Sequence, residues 1–154
     1  MNMPDGIIPD VRLYHFTTHA WFAELVSVGA IATTWPRKPG AAWPWPRVAW
    51  LTKQPDPDRQ GWKVAQTHEV RVTVDVPDSE AHPWSTCKGE LPPETVSGLE
   101  TSAKVWGGNP ADWYVVRRPI PTSEWIEVLD LDTNKVLKHS ERARPVTKRP
   151  PTAR

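Results

Sequence analysis

Apolar and polar residues alternate most regularly between Glu69 and Val76, where Val70, Val72, Val74 and Val76 are interleaved with Arg71, Thr73 and Asp75. A period of two puts the valines on one face, so this segment predicts a half-buried strand that Pro77 ends. Val11 to Phe16 alternates more weakly and also predicts a strand. From Ala20 to Ile31 the period changes: Trp21, Phe22, Leu25 and Val28 recur at helical spacing. Thr17 or Thr18 can cap that helix and Gly29 can stop it. Ile31 to Thr34 reads as a short extended piece. Val48 to Thr52, Trp113 to Arg117 and Trp125 to Leu131 read as further strands. Lys53 to Lys63 reads as a loop, and Ile120 to Ser123 and Asp132 to Lys135 as turns. Residues 78–112 are irregular apart from a short helix around Pro93 to Val105, entered through Pro92-Pro93 and left through Gly107-Gly108. The expectation is an α+β chain with a small mixed or antiparallel split sheet and one main helix.

Composition sharpens this picture. The chain has 154 residues, the size of one domain, and its 18 prolines exclude a helical bundle. Apolar residues are only 38% of the chain, but 10 tryptophans can bury large areas each. Three of them precede proline in the stretch from Trp35 to Pro46, which predicts a stiff aromatic loop that either closes over a flat ligand or is pinned to the core.

The net charge of +1 excludes polyanion binding by bulk electrostatics. The charge is nevertheless uneven. Residues 139–154 carry five basic side chains against Glu141, a net of +4, with three prolines and little apolar content. They are expected to form a disordered tail, able to touch nucleic acid or simply to aid solubility, after a single domain over 1–138. Cys87 is the only cysteine, which rules out an internal disulfide and fits a reducing cytoplasm. No basic-then-apolar leader and no membrane-length apolar run occurs in the sequence. Metal spacing, a phosphate-binding glycine loop and a serine nucleophile elbow are also missing.

Candidate chemistry collects at strand ends. His15 and Thr17 close the first strand, Thr52 closes the second, and Glu124 stands at the entrance of the strand that begins at Trp125. Glu127 is the alternative carboxylate, on the other face of that strand by period two. A histidine, a hydroxyl and a glutamate in that order suit cleavage of an N-glycosidic bond to a cationic leaving group. Such chemistry needs a held sugar, a gripped leaving group and a carboxylate beside the oxocarbenium-like transition state.

Leu13-Tyr14-His15-Phe16-Thr17 with Gly29-Ala30-Ile31, then Val48-Ala49-Trp50-Leu51-Thr52, then Ser123-Glu124-Trp125-Ile126, together resemble the three ordered motifs of ADP-ribosyltransferase-like proteins. These include DNA-targeting ADP-ribosyltransferase toxins, poly-ADP-ribose polymerases and NAD-dependent RNA 2′-phosphotransferases. The pattern also resembles uncharacterised actinobacterial and phage proteins. The resemblance covers about residues 11–131. It implies NAD as cofactor and transfer of ADP-ribose to a protein or nucleic-acid acceptor, with Glu124 and His15 catalytic. It further implies Tyr14, His15, Thr17, Trp50, Thr52 and Arg71 around the dinucleotide. Phe16 departs from the glycine that many relatives carry after the histidine, and the second motif lacks their tyrosine. Two alternatives follow. One is RNA 2′-phosphate removal, with Arg47, Arg71 and His68 as phosphate holders. The other is an inactive binding module, such as a phage effector that blocks a host protein or nucleic acid.

Overall fold

The computed structural model describes residues 10–31, 48–60 and 68–137. The Trp-Pro stretch, Arg47 and the basic tail lie outside the described residues. Among the described residues nine strands form two sheets. β1 (Asp10–Thr17), β3 (Ala49–Thr52), β4 (Val70–Pro77), β5 (His82–Pro83), β6 (Trp113–Val116), β8 (Trp125–Asp130) and β9 (Lys135–Leu137) make a seven-stranded sheet in the order β5-β6-β3-β1-β4-β8-β9. β2 (Ala30–Ile31) pairs with β7 (Ile120–Pro121) in a small second sheet. Every described pairing is antiparallel. The helices are α1 (His19–Val28), the single turn α2 (Trp84–Cys87) and α3 (Pro93–Val105). The fold class is α+β, as the patterning indicates.

Four details differ from expectation. α3 is longer than α1, so the described residues hold two main helices rather than one. Ile120–Pro121 is not a turn but pairs with the residues that follow α1. β5 and β9 are too short to show a period. α1 also shifts its inward face, keeping Phe22 and Leu25 and taking Val26 in place of Trp21 and Val28. Leu25 is buried and Phe22 and Val26 pack against the core, while Trp21 and Val28 are each 66% exposed. The N-cap is Thr18, whose hydroxyl accepts from the Trp21 N–H at 3.1 Å. At the other end Gly29 takes φ 86°, a left-handed conformation open to glycine, and its N–H returns to the Leu25 carbonyl.

The sheet separates two cores. On one face Leu13, the four β4 valines, Leu51, Val116, Trp125 and Val128 pack with α1 and with Ile31 and Ile120 of the small sheet. On the other face Val48, Trp113 and Val115 pack with Trp84, Cys87, Leu91 and Ala103 from α2 and α3 and the segment between them. Trp50, Trp84 and Trp113 lie 5.5 to 6.1 Å apart between ring centroids. This cluster supplies much of the burial that the low apolar content would otherwise lack.

Candidate functional site

The register of β1 decides which candidate residues can meet. His15 is paired with Val72 and Thr17 with Val70, so both lie on the α1 face of the sheet. Tyr14 is paired with Thr52 and with Thr73, and Phe16 with Arg71, so these residues lie on the opposite face. The expected set therefore divides. His15 and Thr17 share one face, whereas Tyr14, Trp50, Thr52 and Arg71 share the other. Period two makes the division unavoidable, because Tyr14 and His15 are neighbours on one strand.

On the α1 face, the His15 Nδ1–H donates to the Trp50 carbonyl at 3.1 Å. A carbonyl only accepts, so this contact fixes the tautomer with the proton on Nδ1 and leaves Nε2 as an acceptor. Nε2 has no hydrogen-bond partner among the described residues. Burial pushes the His15 imidazole below the ordinary histidine range, opposed in part by the Trp50 hydrogen bond. Thr17 is buried at the end of β1, and its carbonyl accepts from the Glu69 N–H at 2.9 Å.

Glu124 sits two strands away from β1, in a single 3-10 turn (Thr122–Glu124) ahead of β8. Arg118 donates to both of its oxygens, Nη1 to Oε2 at 3.1 Å and Nη2 to Oε1 at 2.9 Å. The Arg118 Nε donates to Glu80 at 2.7 Å. The arginine thus orients the carboxylate, and each oxygen keeps a lone pair for a further donor. This three-residue ion pair was not legible in the sequence, because its members are separated by up to 44 positions and follow no motif.

On the opposite face, the Arg71 guanidinium stacks 5.3 Å from the centroid of the Tyr14 ring. It donates to the Pro55 carbonyl at 3.0 Å and stands 3.5 Å from Glu127. A shift in register between Thr73 and Val74 re-aims β8, so that Trp125 enters the core while Glu127 reaches Arg71. Residues 53–60 cross this face. Gln60 is buried and donates to the carbonyls of Gln54 and Asp56, both at 2.7 Å. Thr52 is buried and accepts from the Gln54 N–H, while Trp50 belongs to the indole cluster. Tyr14 and Arg71 thus stack on each other, Arg71 and Thr52 hold the crossing loop, and Trp50 packs among the indoles. His68 joins the same edge, with its ring 5.2 Å from Phe16 and its Nδ1 donating to the Pro57 carbonyl at 3.3 Å.

Cys87 is buried, burial raises its thiol, and the S–H donates to the Pro83 carbonyl at 3.4 Å, so it is a packing residue. A shallow cleft of about 360 Å³ lies between Gln54, Arg59, Gly107, Asn109 and Asp112 and contains none of the expected residues. No helix among the described residues is long and apolar enough to cross a membrane.

Compared with known proteins, the chain matches no family model, no curated protein and no solved structure.

Proposed function

We propose that this chain binds NAD on the α1 face of its sheet and transfers ADP-ribose to a macromolecular acceptor. The observation that carries the reading is the fixed imidazole of His15. Its Nδ1 is held by the strand next to it, and its Nε2 is kept as an acceptor suited to a ribose hydroxyl. Glu124, oriented by Arg118, supplies the carboxylate that steadies positive charge on the sugar. In the transfer the bond from ribose C1′ to the nicotinamide nitrogen breaks, and the electron pair leaves with nicotinamide. An acceptor oxygen or nitrogen bonds to C1′ and its proton passes to solvent.

RNA 2′-phosphate removal is the weaker reading. It needs basic side chains beside His15, and Arg71 lies on the far face against Glu127. On this reading His15 and Thr17 are the cofactor residues, and Tyr14, Trp50, Thr52 and Arg71, on the other face, are scaffold.

The test is a titration of the full chain with NAD, followed by indole fluorescence and calorimetry, together with an assay of nicotinamide release. Saturable binding is expected, weakened at least about tenfold in His15→Ala, the loss of roughly one hydrogen bond to a polar ligand. Glu124→Gln should bind NAD but release no nicotinamide. Absence of saturation at millimolar NAD overturns the reading and favours a binding module.

A further inference from the structure

A second cluster lies at the junction between β1 and α1, two residues beyond Thr17. His19, the first residue of α1, meets three carboxylates from other parts of the chain. Its Nε2 is 3.3 Å from Asp130 Oδ1 at the end of β8. Its Nδ1 is 3.3 Å from Glu69 Oε1, just before β4, and 3.8 Å from Asp132 Oδ2 in the β8–β9 turn. One ligand atom each from His19, Asp130 and Asp132 fall within 4.8 Å of one another.

A neutral imidazole has one N–H and one lone pair. The Nε2–H donates to Asp130 Oδ1 at 3.3 Å, the short contact that a metal ion in place of the proton would bridge.

We propose that His19, Asp130 and Asp132 form a site for a divalent first-row transition ion, with Glu69 as an outer carboxylate. Mixed imidazole and carboxylate donors suit Zn²⁺, Mn²⁺ or Co²⁺ better than Ca²⁺ or Mg²⁺, which prefer oxygen alone. Ligand atoms about 2.1 Å from a tetrahedral ion lie roughly 3.4 Å apart, so donors that stand within 4.8 Å of one another need to close by at most about 1.4 Å. His19 and Asp132 are exposed, which leaves them free to make that adjustment. Glu69 is already fixed, because its Oε1 accepts the His19 backbone N–H at 2.8 Å. It is placed to orient His19 from behind, as outer carboxylates do at metal-bound histidines. The ion would join the start of α1 to the β8–β9 turn, four residues beyond His15, and so stiffen the strand end that carries that histidine. The role is structural and does not depend on NAD.

Titration of the metal-free full chain with Co²⁺, read by visible absorption, tests the site, with thermal unfolding in Zn²⁺ as a second measurement. Saturable one-to-one binding is expected, with a rise in melting temperature. His19→Ala and Asp130→Asn should each weaken binding at least about tenfold, the usual span for loss of a ligand or its support. Both changes lie at exposed or partly exposed positions, and unfolding of the metal-free variants checks that they fold. Unsaturated binding up to millimolar Co²⁺, or unchanged affinity in His19→Ala, would overturn the proposal. NAD binding is measured separately and has no bearing on either result.

Discussion

Arg118 holds Glu124 by both carboxylate oxygens and Glu80 by its Nε, so one guanidinium fastens the 3-10 turn before β8 to the segment after β4. Arg118→Met should lower stability by about 1 kcal/mol, the upper end for partly exposed pairs because the geometry is bidentate. Arg118→Lys should recover only part of this, since an ammonium cannot match the planar fork. Urea denaturation with an unchanged m-value checks both. Under the proposed function, the same variants should lower nicotinamide release more than NAD affinity, because the carboxylate loses its orientation.

Acid should destabilise the fold through its buried histidines. Burial lowers the native imidazoles of His15 and His68 below the usual value of about 6.5. Between the native value and about 6.5 the unfolded chain binds more protons than the native one, so stability falls as pH drops through that range. His68→Asn should flatten the dependence of melting temperature on pH between about 7 and 5 relative to the unaltered chain. An equal slope in both would contradict the assignment.

Thr73 is only 4% exposed and its hydroxyl has no hydrogen-bond partner among the described residues. An unpaired buried hydroxyl costs stability, and valine has nearly the same shape. Thr73→Val should therefore be neutral or stabilising by up to about 1 kcal/mol, against the usual trend for core substitutions. Chemical denaturation of the variant measures it.

Gly29→Ala should destabilise by about 1 kcal/mol. Among the described residues, chain neighbours and the helix's own backbone apart, no atom lies within 4 Å of the added methyl group, so the cost arises from φ 86°. Gly29→Asn should cost less, because asparagine tolerates the left-handed region. Comparing the two by thermal unfolding separates backbone strain from crowding.

Much of the fold was legible where periodicity was strong. The β4 valines read as one buried face, and Pro92-Pro93 marked the start of α3. The two-residue strands β2, β5 and β7 were not legible, because their pairing is decided by distant partners. The site was legible only as an order of residues. Sequence order says nothing about which face a side chain takes once strands pair, and the β1 register divides Tyr14 from His15. Period two sets Glu124 and Glu127 on opposite faces, but the irregularity beside Thr73 breaks that period between them, and Glu124 lies in the turn ahead of β8 rather than on the strand. Periodicity does not reveal either feature.

Val115 and Val116 are sequence neighbours that serve different cores, one under α2 and α3 and the other under α1. Val48 and Ala49 do the same on the adjoining strand. Inserting or deleting one residue within either strand would turn both interiors inside out together, so no local repair could rescue one without ruining its counterpart. Drift in the length of this protein is thereby confined to its connections, and the two middle ribbons must keep their count.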